Sequence, residues 1–144
     1  MLQIENLAAG YGSSQVLFDV SFTIEAGEVL ALLGRNGMGK TTTVATIMGL
    51  VPCWSGALSF GGQSITGLPP YRVAQSGLGL VPEGRQIFPT LTVEENLVAT
   101  ARRGGTAPRW TLDRVWTLFP RLLERRRNLG SRLSGGEQQM LAIG

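Results

Sequence analysis

Histidine is absent from this 144-residue sequence, cysteine occurs once, lysine occurs once among 13 basic residues, and aspartate occurs only as Asp19 and Asp113. The missing imidazoles and the single thiol argue against a zinc site. Cys53 has no partner for an internal disulfide, which fits a reducing compartment and reads as a buried or incidental thiol. No run approaches the roughly 18 consecutive apolar residues of a membrane-spanning helix. The N-terminus lacks the basic and then apolar layout of a signal peptide, so the expected location is the cytoplasm. Charge is sparse at 16%, and a net charge of +3 is only a weak pointer to polyanionic partners.

What is present is a chain that is 43% hydrophobic, enough for one globular core. Leu2 to Leu7 reads as a strand, and Val16, Phe18, Val20, Phe22 and Ile24 alternate with polar residues as in a second, half-buried one. Turns at Gly10–Ser14 and Ala26-Gly27 make this opening antiparallel. Glu28 to Leu33 is a compact apolar run expected to be a strand covered on both faces. Thr41 to Met48 suits a helix ending at Gly49, Ala57 to Phe60 with Gly61-Gly62 suggests a strand pair, and Leu78 to Val81 a further short strand closed by Pro82. Beyond Pro89 the pattern turns helical. Thr92 and Glu95 form a capping box for a helix running towards Arg103, broken by Gly104-Gly105. Leu112, Val115, Trp116, Phe119, Leu122 and Leu123 share one helical face, interrupted at Pro120. Trp110, Trp116 and Phe119 read as packing of this helical part rather than as a nucleic-acid platform, and the run Arg121, Arg125, Arg126, Arg127 and Arg132 as a solvated face.

Gly34-Arg35-Asn36-Gly37-Met38-Gly39-Lys40-Thr41 matches the phosphate-binding pattern G-x-x-x-x-G-K-[ST] between an expected strand and an expected helix. Gly34, Gly37 and Gly39 allow backbone angles that turn N–H groups inward around an anion, and Asn36 lies within the same loop. The helix start adds its positive end. Lys40 is placed to reach the β- and γ-phosphates of a nucleotide, and the Thr41 hydroxyl to ligate Mg²⁺. Arginine serves everywhere else in the chain, and its broad fork would not replace this ammonium in a tight loop.

Leu133-Ser134-Gly135-Gly136-Glu137-Gln138-Gln139 resembles the LSGGQ signature of ABC ATPases, with Glu137 in the final place. Ser134 and Glu137 also satisfy an ordinary capping box. Behind the P-loop and a helical insertion, the segment is identified with the signature. The resemblance runs along essentially the whole chain. It implies an α/β fold, a P-loop NTPase ABC cassette with an N-terminal antiparallel β part and an incomplete RecA-like core carrying a helical insertion. The boundaries it suggests are 1–90 for the β part and P-loop core, 91–133 for the insertion, and 134–144 for the signature and the start of the next helix.

The family likeness also implies roles. Tyr11 matches the aromatic that stacks on adenine, Val16 lies where the ribose packs, and Thr42 adjoins the Mg²⁺ ligand and touches phosphate. Ser134, Gly135 and Gly136 would bind the γ-phosphate of ATP held by the opposite protomer. Glu83 occupies the Q-loop position, where most of the family carries glutamine, so its part in holding Mg²⁺ or water, and hence in catalysis, departs from the pattern. VPEGR, QIFP, TVEENL, LFPRL and LSGGEQQMLAIG are similar to the cassettes of branched-chain amino-acid importers, with urea-import cassettes close behind.

The implied function is the ATP-binding subunit of an ABC importer at the cytoplasmic face of the inner membrane. Its partners would be a second cassette, membrane permease subunits and, indirectly, an extracytoplasmic solute-binding protein, with no nucleic acid. A soluble non-transport ABC ATPase and a non-catalytic nucleotide-binding fragment are the alternatives. The family's Walker B strand, ending in Asp-Glu, and its switch histidine have no counterpart here. The chain by itself is therefore expected to lack turnover, and to be poorly stable with an apolar strand edge at residues 28–33.

Overall fold

The computed structural model describes residues 1–101 and 110–144, in two compact units, Met1–Leu80 and Val81–Gly144. The first is a four-stranded antiparallel sheet with two helices. Strands β1 (Leu2–Tyr11), β2 (Ser14–Ile24), β3 (Cys53–Phe60) and β4 (Gln63–Ser64) lie in the order β2-β1-β3-β4. Helix α1 (Lys40–Ile47) packs against β1 and β2, and α2 (Pro70–Gln75) starts on a proline whose missing N–H costs a helix nothing at that position. Ile4, Leu7, Leu17, Ile47, Leu58, Ile65 and Val73 form the buried centre.

The first hairpin departs from simple alternation. Asn6 and Asp19 take left-handed backbone angles, φ 49° and 53°, where the β1–β2 register shifts. These bulges keep Ile4 and Leu7 on one face and bring Leu17 to the core, while Phe18 is turned outward at 68% exposure. The expected inward row of Val16, Phe18, Val20, Phe22 and Ile24 is thus broken at Phe18. Asn6 donates its N–H to the Ser21 hydroxyl at 2.8 Å, pinning the two bulges together.

Residues 28–33 and 78–81, expected as strands, are not strands. A strand covered on both faces needs paired neighbours, and among the described residues none pairs with either run. Val29 and Leu33 are accordingly 93% and 90% exposed.

In the second unit, α3 (Val93–Ala99), α4 (Leu112–Leu118), α5 (Pro120–Glu124) and α6 (Gly135–Ile143) enclose Val93, Leu97, Val115, Leu122, Leu133 and Leu141. Thr92 and Glu95 make the expected capping box, and α3 ends at Ala99 rather than near Arg103. Arg103 and the Gly104-Gly105 break lie outside the described residues. The break at Pro120 separates α4 from α5 as expected. Trp116 and Phe119 pack on the core, whereas Trp110 and Leu123 do not, being 61% and 42% exposed. Trp110 precedes the N-cap Thr111, and Leu123 follows the turn that Pro120 resets, so neither stays on the shared face.

Candidate functional site

The glycine-rich loop leads into α1 through Gly39, the helix N-cap, at φ 85°. A Cβ there would lie 2.7 Å from Leu17 Cδ2 and 3.5 Å from Val16 Cγ1, so the loop closes on β2 only with glycine. Gly37 shares the left-handed conformation at φ 84°. The N-cap Gly39 has no side chain to cap α1, and the helix ladder begins with Thr43 N–H donating to Gly39 O at 2.7 Å. A helix start of this kind, behind a loop of turned peptides, is an anion-binding arrangement.

Lys40 Nζ donates to Gly34 O at 2.7 Å and to Arg35 O at 2.8 Å. The ammonium is therefore folded back over the loop that precedes it, holding positive charge at the glycine-rich turn ahead of α1. Thr41 is exposed beside it, while Thr42 is 6% exposed and turned inward. The Tyr11 hydroxyl, at the end of β1, comes within 3.5 Å of Thr42 Oγ1, and the residue stays 54% exposed. The fold thus gathers Tyr11, Val16, Gly39, Lys40 and Thr42 at one end of the first unit. The remaining loop positions, Gly34 and Asn36, are exposed at the same loop.

Among the described residues, no three His, Cys, Asp or Glu side chains form a metal cluster. The donor set at the loop, one ammonium, the backbone amides of a helix start and a hydroxyl at Thr41, suits a polyphosphate that brings its own Mg²⁺. That ion is commonly held by phosphates, water and one or two protein oxygens.

In the second unit, Ser134 is the N-cap of α6. Its Oγ accepts from Glu137 N–H at 3.4 Å and its N–H donates to Glu137 Oε2 at 2.8 Å. These bonds, with Arg125 Nε 3.8 Å from the carboxylate, hold Glu137 below the ordinary glutamate range. The residue in the final signature place is therefore a structural cap, and Gly135 and Gly136 form the first turn behind it. Glu83 is exposed in the turn that Arg85 N–H closes on Pro82 O at 3.3 Å.

Two residues went unnoticed in the sequence. Asn96, 5% exposed, accepts from Phe88 N–H at 2.8 Å through Oδ1, and its Nδ2 donates to the carbonyls of Phe88, Leu91 and Thr92. A polar side chain on the inward face of α3, one turn beyond Val93 and beside Leu97, was the available signal. Arg85 meets the first turn of α6, a pairing 53 residues apart that no local pattern announces.

The family model for ABC transporters matches residues 17–144. The chain belongs to the ABC transporter family. Among curated relatives it is 41% identical to the high-affinity branched-chain amino acid transport ATP-binding protein BraG of Pseudomonas aeruginosa, over 100% of this chain and 62% of that protein. It is 40% identical to the lipopolysaccharide export system ATP-binding protein LptB of Haemophilus influenzae, over 99% of this chain and 61% of that one. A probable branched-chain amino acid transport ATP-binding protein, LivF of Archaeoglobus fulgidus, is 37% identical over 99% and 61%. The chain thus spans about three fifths of the length of these relatives. A solved ATP-binding subunit of an ABC transporter superposes with a TM-score of 0.82 at 32% identity, over 99% of this chain and 59% of that one. The dimeric cassette MJ0796 shares the fold, with a TM-score of 0.79 at 23% identity over 99% of this chain and 67% of that one.

Proposed function

We propose that this chain supplies the ATP-binding loop and the signature of an energy-coupling ABC cassette, which serves the import of branched-chain amino acids. The observation that carries the reading is the Lys40 ammonium held by the carbonyls of Gly34 and Arg35 over the glycine-rich loop that leads into α1. There Lys40 and the loop amides bind the β- and γ-phosphates, Thr41 offers its hydroxyl to Mg²⁺, Thr42 supports the phosphate wall, and Tyr11 and Val16 receive adenine and ribose. Bound Mg²⁺ supplies charge neutralisation at the phosphates. Ser134, Gly135 and Gly136 face the nucleotide of a second cassette, and Glu83, at the position where most of the family carries glutamine, offers a carboxylate oxygen to Mg²⁺ or water. Binding of the pair is transmitted to membrane permease subunits served by an extracytoplasmic receptor, with the cassette at the cytoplasmic face. The surface near Glu83 to Pro89 docks to those subunits.

Nucleotide binding is tested by titrating the protein with ATP and Mg²⁺. Binding that Lys40→Ala removes supports the reading, and binding indifferent to that substitution rejects it. Two of the relatives named above carry branched-chain amino acid transport in their names, which favours that cargo. The near-equal similarity to LptB supports a second reading, a cassette for lipopolysaccharide export. Disruption of the gene separates them. Reduced uptake of labelled leucine, isoleucine and valine supports import, whereas normal uptake with lipopolysaccharide retained in the inner membrane supports export.

A further inference from the structure

Arg85 lies two residues beyond Glu83, and Arg85 and Gln86 both adopt left-handed backbone angles, φ 68° and 41°. Such angles are unfavourable for side chains with a Cβ and persist only where surrounding contacts enforce them. The contacts here lead to one place. Arg85 Nη1 donates to Gln138 Oε1 at 3.2 Å, and a Cβ on Gly135 would stand 2.9 to 3.2 Å from the guanidinium atoms. The guanidinium therefore lies on the first turn of α6, against the glycine that follows Ser134. Gln138 Nε2 in turn donates to Gly130 O at 3.1 Å, so one amide side chain ties Arg85 to the turn entering the signature. Behind Arg85 the same segment is fastened again: Ser131 N–H donates to Pro89 O at 3.0 Å and Gly130 N–H to Leu91 O at 2.8 Å. Gly130 has no room for a side chain, since a Cβ would stand 2.9 Å from Phe88 O.

We propose that Arg85 is a positioning residue, which couples the Glu83 turn to the signature by holding Gly135 and Gln138 in register with it. The proposal rests on the reading of Ser134–Gly136 as a phosphate-facing signature. Gly135 matters in this scheme because its missing side chain lets the guanidinium reach the helix backbone, in addition to any conformational need of its own. A displacement at Glu83 would then be passed to the signature through two side chains rather than through the long chain between them. Arg85 acts through α6 and takes no part in nucleotide binding at the Lys40 loop.

The test measures ATP affinity and steady-state ATP hydrolysis of the full-length protein for Arg85→Ala, Gln138→Leu, their combination and Arg85→Lys. The expected result is a kcat lowered about tenfold by either single substitution, with ATP affinity at the Lys40 loop within about twofold of the parent. The double variant should be no worse than Gln138→Leu alone, because that substitution already breaks the Arg85–Gln138 link along with the bond to Gly130. Arg85→Lys, which retains a donor and a charge, should recover most of the rate. Additive losses, an unchanged kcat, or a fall in affinity equal to the fall in rate without rescue by lysine would each overturn the proposal. A protein that neither binds nor hydrolyses ATP with Lys40 intact would instead remove the underlying reading, and this proposal with it. Gln138→Leu leaves Arg85 in place, so misfolding of Arg85→Ala does not obscure the outcome.

Discussion

The hydroxyls of Tyr11 and Thr42 meet at 3.5 Å although 31 residues separate them, one at the end of the first strand and the other in the first turn of α1. The contact anchors the tip of the tyrosine and leaves 54% of the residue exposed. A half-exposed aromatic side chain beside the phosphate-binding loop is suited to stacking on a flat ligand. Stacking of a base on an aromatic ring contributes on the order of 1–3 kcal/mol. Tyr11→Ala is therefore expected to weaken ATP binding about tenfold, while Tyr11→Phe stays within about threefold, because the anchoring contact is long and weak. Fluorescence titration with an ATP analogue checks both, and equal losses for Ala and Phe would assign the effect to the hydroxyl.

Lys40 reaches two consecutive carbonyls, Gly34 O and Arg35 O, with a compact ammonium. A planar guanidinium is broader, and it cannot converge on both oxygens while remaining inside the loop. Lys40→Arg should thus lose nearly as much ATP affinity as Lys40→Ala, at least about thirtyfold, with an unchanged far-ultraviolet circular dichroism spectrum. Retention of affinity in Lys40→Arg would mean that charge alone, and not the fit of the group, does the holding.

The loop and the caps were legible in the sequence because their chemistry is local. Gly37, Gly39 and Lys40 lie within four positions, and Thr92 with Glu95 or Ser134 with Glu137 needs only one helical turn. The apolar runs at 28–33 and 78–81 are not strands despite their composition, because hydrophobicity marks only what a segment tends to bury. Whether it pairs depends on neighbours that no local pattern supplies. Phe18 was misplaced for a related reason, since one left-handed residue at Asp19 reverses the side-chain order of a strand. Arg85 on Gly135 was out of reach altogether, being a contact across 53 positions that a helical packing arrangement creates.

Asn96 fastens the segment from Phe88 to Thr92 with four hydrogen bonds from within a core of Val93 and Leu97. Substitution by leucine keeps the volume but strands the Phe88 N–H, while the carbonyls of Phe88, Leu91 and Thr92 keep their backbone donors Leu91, Gly130 and Asn96 N–H. A buried group deprived of its partner costs roughly 1–3 kcal/mol. Asn96→Leu is expected to lower stability by about 1–3 kcal/mol, against less than about 0.5 kcal/mol for the exposed Glu94→Gln on the same helix. Urea denaturation midpoints measure the difference, and a neutral Asn96→Leu would show that water satisfies the abandoned N–H.

Both capping boxes of the second unit make stability depend on pH in one direction. Glu95 and Glu137 each accept the backbone N–H of their own cap residue, Thr92 or Ser134, and both carboxyls are held below the ordinary glutamate value of 4.5. A carboxyl whose pKa is lowered by folding binds its proton more weakly in the folded chain than in the unfolded one. Its stabilising contribution is complete above the unfolded value and is lost as pH falls through the lower, folded one. Replacing both residues by glutamine keeps the capping geometry and removes the titration. The difference in urea midpoint between the parent and Glu95→Gln/Glu137→Gln should therefore stay constant from neutral pH down to about pH 5 and shrink below about pH 4.5. A difference that persists undiminished at pH 3 would mean that the carboxylates gain nothing from their caps.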